Sequence, residues 1–169
     1  MATTGVTAQP QVVALGGAVP DYYNFTDAEA ISEGDLIRIT SSGTIKLAEV
    51  NNNSIAGAVH GIALEDGTTD GVPIKVLLFA DDTLVKIQCI DSLAPSSLTV
   101  GVAYELEDGT NVWGITSTTT KGIATVVALA GTSQPWHDAY STFDEATATA
   151  NNSVIVKFTN TVLDGAKGA

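Results

Sequence analysis

Between residues 31 and 88, apolar and polar positions alternate in short runs cut by acidic and glycine turns: ISEGDLIRIT, SSGTIKLAE, SIAGAVHGIALEDG, GVPIKVLLFADD and TLVKIQ. Leu36, Arg38 and Thr40 alternate with Ile37 and Ile39, Lys46 stands between Ile45 and Leu47, and Lys75 and Lys86 interrupt apolar runs in the same way. A period near two sends successive side chains to opposite faces of an extended chain, so this pattern predicts half-buried strands. They are expected over residues 34–40, 44–48, 55–64, 72–79 and 83–90. Ser41-Ser42-Gly43 reads as a hairpin turn, and Asn51-Asn52-Asn53-Ser54, residues 65–71 and Asp81-Asp82 supply further turns. Glycines inside a strand, here Gly57 and Gly61, mark a bulge or a close approach of backbone, and Pro73 restricts its strand to a start or an edge.

After a connector at residues 91–97 the pattern begins again. Gly34-Asp35-Leu36-Ile37-Arg38-Ile39 aligns with Gly101-Val102-Ala103-Tyr104-Glu105-Leu106, Gly43-Thr44 with Gly109-Thr110, and residues 57–64 with 122–129. A repeat of about thirty residues in two degenerate copies is too short a series for a solenoid. It points to two similar meander lobes, with Trp113 as the core anchor of the second. The predicted fold is all-β: a compact β-barrel or sandwich built from two related meander lobes, with an extended N-terminal arm. Residues 1–20 form the arm, punctuated by Pro and Gly and free of side-chain charge. Residues 21–130 form the body, opening on the aromatic strand DYYNFT. Residues 131–169 hold an irregular aromatic loop and a last alternating strand from residue 153, expected to close the sheet against the first one.

Charge narrows the partners. Seven basic residues face nineteen acidic ones, for a net charge of −12, and Arg38 is the one arginine. Binding to a phosphate backbone needs clustered positive charge, and no lysine here neighbours another basic residue, so direct contact with nucleic acid is not expected. Such acidity keeps a surface rich in Thr and Gly soluble and suits a particle displaying many copies. Apolar residues make up 44% of the 169, yet no run approaches the ~18 that a membrane helix needs. Residues 1–7 are small and polar, without the basic flank and apolar centre of an export signal. The single cysteine, Cys89, lies between isoleucines and reads as a small buried hydrophobe.

No catalytic constellation is visible. There is no Gly-x-Ser-x-Gly, Ser-x-x-Lys, Gly-x-Gly-x-x-Gly or phosphate-binding loop, and Gly16-Gly17 precedes a proline, Pro20, instead of a helix. His60 and His137, far apart and with one cysteine, give no zinc spacing. Glu65-Asp66-Gly67, Asp81-Asp82 and Glu107-Asp108-Gly109 invite a calcium reading, but none follows the Asp-x-Asp-x-Asp-Gly loop, and turn chemistry explains them more simply. Neither metal nor cofactor nor enzymatic activity is expected.

The Gly-Asp-Leu-Ile-Arg-Ile and Gly-Thr-Ile-Lys-Leu steps, Ile-Ala-Gly-Ala-Val-His-Gly-Ile-Ala-Leu and Val-Pro-Ile-Lys-Val-Leu-Leu together resemble the small head-decoration, or capsid cement, proteins of tailed bacteriophages. The likeness covers residues 28–129 and leaves residues 1–21 and 133–169 without a family signature. It implies a non-enzymatic virion protein, assembled in the host cytoplasm, on the outer surface of the capsid. There, often as a homo-trimer, it would clamp neighbouring subunits of the major capsid protein lattice against the pressure of packaged DNA. The long C-terminal segment departs from the smallest members. Partner contacts are then expected from the apolar arm, at Val12, Val13, Leu15 and Val19, from Tyr22, Tyr23 and Phe25 beside it, and from Trp136 and Tyr140. The rival reading is a carbohydrate- or host-surface-binding β module of a phage fibre or cell surface, with Trp136 and Tyr140 on an exposed loop.

Overall fold

A computed structural model describes residues 9–14, 22–26, 29–48, 59–67, 71–80, 82–108, 113–129 and 147–159. The fold is all-β, and the described residues contain no α-helix. The strands are β1 (Gln11–Ala14), β2 (Tyr22–Thr26), β3 (Leu36–Ile39), β4 (Ile45–Leu47), β5 (Gly61–Ala63), β6 (Pro73–Leu78) and β7 (Leu84–Cys89). After one 3₁₀ turn at Pro95–Ser97 come β8 (Ala103–Tyr104), β9 (Leu106–Asp108), β10 (Trp113–Ile115), β11 (Ala124–Leu129) and β12 (Ser153–Phe158). Pro73 opens β6, where its missing N–H costs least.

The strands form two sheets. One has the order β2-β6-β5-β3-β4, with every pairing antiparallel. The other runs β8-β11-β12-β7-β10-β9, with β1 added beside β7. Its two terminal strands, β8 and β9, are one stretch of chain interrupted at Glu105, so this sheet curls until its ends meet and closes as a ring. β12 lies along residues 85–88 of β7 and takes one edge of that strand. The other edge is divided. β1 pairs antiparallel with Leu84–Lys86, and β10 pairs parallel with Gln88 and Cys89.

The main core lies between the sheets. Leu36, Ile62, Leu77 and Phe79 meet Val85, Ile87, Trp113, Ile115, Val154 and Phe158 there, and the Phe79 and Phe158 rings stack at 5.7 Å. Strict alternation of buried and half-buried residues holds in β7 and β11, as the period of two predicts. In β5 and at the end of β6 it gives way to continuous burial. The reason is a second apolar cluster on the opposite face of the first sheet, where Ile37, Ile45, Ala63, Ile74, Val76 and Leu78 pack together. Both faces of those strands are inside. The last strand is placed differently from the sequence expectation: β12 sits between β11 and β7, while β2 belongs to the other sheet. Four consecutive buried residues, Ser153 to Val156, suit that central position better than a closing edge.

Backbone pairing recurs between the two halves. The Gly34 amide donates to the Ala63 carbonyl at 2.9 Å, and the Gly101 amide to the Val126 carbonyl at 2.8 Å. Ala63 N–H reaches Asp35 O as Val126 N–H reaches Val102 O, and His60 N–H reaches Ile37 O as Ile123 N–H reaches Tyr104 O. Each unit opens on a turn whose glycine has φ near +90°: +89° at Gly34 and +87° at Gly101, a region costly for any residue with a Cβ. In this pairing Ala63 answers to Val126, whereas the sequence alignment sets it against Ala128. The offset is even, so every side chain keeps its face.

Candidate functional site

Two places in the fold concentrate polar groups. The first is internal. Asp35, 3% exposed, follows the Gly34 turn and enters β3, so its carboxylate stands where the two sheets face each other. Its Oδ2 accepts the Ser32 amide at 2.7 Å and its Oδ1 accepts Nε1–H of Trp113 at 3.3 Å. Trp113, 1% exposed, belongs to β10 of the ring, so this bond ties one sheet to the other. A buried carboxylate is tolerated only when donors meet it, and an indole N–H inside a core needs an acceptor. Each supplies what the other lacks.

The second is a surface cleft of about 410 Å³ at the C-terminal end of β7, the end away from β1. Three segments wall it. Residues 90–94 turn out of β7, Glu105 and Glu107 come from the seam between β8 and β9, and Thr116, Ser117 and Thr118 follow β10. Glu105 and Glu107, two apart on extended chain, point to one side. The seam is held by backbone bonds from Glu105 N–H to Thr118 O at 2.8 Å and from Thr116 N–H to Glu105 O at 3.0 Å. Across the cleft, Asp91 and Ser92 form a turn closed by Leu93 N–H to Ile90 O at 3.0 Å, and both have positive φ, 57° and 64°. Non-glycine residues hold that conformation only when their surroundings enforce it. Here Asn151 does so: its Oδ1 accepts the Ser92 amide at 3.0 Å and its own amide donates to Leu93 O at 2.8 Å.

Glu105 is 6% exposed. Its Oε1 accepts the Lys121 amide at 2.9 Å. No basic side chain lines the cleft. Among the described residues, no group of three or more His, Cys, Asp or Glu is placed to hold one metal ion.

The residues expected to make partner contacts fall in separate places. Val12 and Val13 are half-buried in β1, Val12 against the main core and Val13 against the small cluster of Ala128 and Ile155 on the outer face of the ring. Tyr22, Tyr23 and Phe25 lie in β2, whose backbone pairs with β6 in the other sheet. Leu15, Val19, Trp136 and Tyr140 lie outside the described residues, as do His137 and the Asp81 half of its acidic turn. Cys89 is buried in β7. His60 is half-buried, and its Nδ1 accepts the Ile39 amide at 2.8 Å, taking the place of a ladder bond beyond the end of the β3–β5 pairing. Burial, with the Arg38 charge second, holds its pKa below the ordinary 6.5. Glu29 does similar work at the edge strand β4, where its carboxylate accepts the Leu47 amide.

The acidic cleft was not legible as a unit in the sequence. Asp91 falls in what reads as a connector and Glu107 in what reads as a turn. What joins them is the parallel β7–β10 pairing, which leaves no local mark in the chain.

Comparison with protein-family models, with curated proteins and with solved structures finds no match for this chain. Among the described residues, no helix is long and apolar enough to cross a membrane.

Proposed function

We propose that the chain is a structural, non-enzymatic protein of a phage virion that binds the outside of the capsid and stabilises contacts between major capsid subunits. The motif resemblance over residues 28–129 motivates the reading. The observation that carries it is β1. This strand is bound to β7 by one edge, and among the described residues its other edge has no strand partner. A segment of this kind is suited to strand addition, in which main-chain hydrogen bonds to a neighbour supply affinity. Two sheets tied through Asp35 and Trp113 give the arm a rigid base, and many copies on one lattice convert weak single contacts into firm attachment. Assembly as a homo-oligomer, with a trimer favoured, belongs to the same proposal.

The test is co-sedimentation of the purified chain with undecorated capsids, with electron microscopy of the product. The full chain is expected to coat the shells and raise the temperature at which they open. A form lacking residues 1–20 is expected to bind more weakly. Full-chain samples that leave the shells bare, or an arm deletion that binds as well as the parent, would each count against the proposal, the second removing the arm from it.

A further inference from the structure

We propose that Glu29 is an edge guard: its carboxylate closes β4, the last strand of the first sheet, against strand addition by a second copy of this chain. The guard does not rest on the capsid reading, since it concerns an edge that stays closed whatever the partner.

The ladder shows which groups β4 turns outward. Thr40 N–H reaches Thr44 O and Ala48 N–H reaches Leu36 O, each at 2.8 Å, and Arg38 pairs with Lys46 between them. The N–H and C=O of one strand residue point to the same side, and successive residues alternate. Thr44, Lys46 and Ala48 therefore face β3, while Ile45 and Leu47 turn their backbone groups away from it. Because β4 ends its sheet, that is the side on which another strand would dock.

Glu29 stands there instead. From 18 residues away in sequence its Oε1 accepts the Leu47 amide, taking the place of a neighbouring strand's carbonyl. A bond to an ionised acceptor is about twice as strong as one between neutral groups, so an incoming strand would exchange a stronger bond for a weaker one. The composition of β4 makes such a guard useful. Ile45 is fully buried in the second apolar cluster and Leu47 packs against both clusters, and a terminal strand with apolar residues of this kind is a template for edge-to-edge pairing. A second copy would present the same strand. Two residues beyond Glu29, Ile31 packs in the cluster that holds Ile45, and its carbonyl accepts the Gly67 amide at 2.7 Å. The segment that carries the guard is thus tied down, which keeps the carboxylate beside β4. β1 has no such device: among the described residues its outer edge has no strand partner, and none of its four side chains is charged. One edge is closed and the other left open.

The test compares the parent full chain with Glu29→Ala and Glu29→Gln by sedimentation velocity over a concentration series and by amide hydrogen exchange. Glu29→Ala is expected to self-associate at least about tenfold more tightly than the parent, the equivalent of one charge-assisted hydrogen bond. As its concentration rises, residues 44–48 should gain protection, which a merely loosened fold would not produce. Glu29→Gln keeps an oxygen for the Leu47 amide and should stay within about threefold of the parent. The parent decides the matter even if Glu29→Ala does not fold: its Leu47 amide, though turned away from β3, should exchange at least about tenfold more slowly than in the unfolded chain. Association of Glu29→Ala no tighter than that of the parent, association that leaves exchange at residues 44–48 independent of concentration, Glu29→Gln behaving as Glu29→Ala, or free exchange at Leu47 in the parent would each overturn the guard.

Discussion

Replacing Asp35 with alanine tests whether the two sheets are joined as described. The change removes the acceptor of the Trp113 indole N–H at 3.3 Å, in a site where the tryptophan is 1% exposed and water cannot take over. A buried donor left unsatisfied costs about 1–3 kcal/mol, and a bond to a charged acceptor contributes about 1.5–3 kcal/mol. The Ser32 amide also loses its 2.7 Å partner, but Ser32 is exposed and water replaces much of that bond. The expected loss is about 2–4 kcal/mol in urea unfolding followed by far-ultraviolet circular dichroism, with an unchanged denaturant slope. Asp35→Asn keeps one oxygen for the indole and should lose only about 1 kcal/mol. In a Trp113→Phe background, which removes the donor, Asp35→Ala should cost less by about 1–2 kcal/mol, the coupling a double-mutant cycle reads for residues in contact. A loss below about 0.5 kcal/mol for Asp35→Ala, or a gain, would refute the reasoning: the cost of burying the carboxylate would then match or exceed what its bonds return.

Acid should act first on His60. Its folded pKa lies below 6.5, so the unfolded chain binds the proton more readily; stability from this group is complete above about pH 6.5 and is lost as pH falls through the folded value. The urea midpoint of the parent should drop between pH 7 and pH 5 more than that of His60→Asn. Gly61→Ala should be worse than Gly101→Ala in thermal melts. A Cβ at Gly61 would stand 2.3 Å from the Leu77 carbonyl oxygen, which is backbone and cannot yield; at Gly101 nothing lies within 4 Å and the cost is the positive φ alone, about 1–2 kcal/mol. Phe158→Ala, losing the ring stacked on Phe79 between the sheets, should cost about 3–5 kcal/mol, and a loss under 1 kcal/mol would mean the core refills there.

Strands were the most legible part of the sequence. Lys75 marks an exposed position in β6, and Lys46 and Lys86 mark half-buried ones in β4 and β7, because a half-buried strand forces a charge to one side. Trp113 is the core anchor its surroundings predict. Asp35 was legible only as a turn residue, since a carboxylate that caps a turn and one that meets an indole from another sheet look alike until the partner strand is placed. The recurrence of the Gly34 and Gly101 units was visible, but its register was not. Gly57 and Gly122 attract each other in an alignment, whereas the ladder matches Ala63 to Val126. The closure of the second sheet at Glu105 left no trace in the local pattern, because it depends on one stretch of chain serving two neighbours, β11 and β10.

That closure also fixes an order of events during synthesis. The ladders of the first sheet lie within residues 22–78, so it can be complete while the rest of the chain is still being made. The ring cannot. β7 emerges with its hydrogen-bonding groups ready, yet one partner, β10, arrives well after it, and the other, β12, is translated later still. Non-local pairings of this kind are slow and leave apolar strand edges open to wrong partners in the interval. β1 is already on hand, and its partners in β7 are Leu84 to Lys86. That contact lies on the edge of β7 opposite β12, so the edge that β12 takes stays open until the carboxy-terminal strand is released.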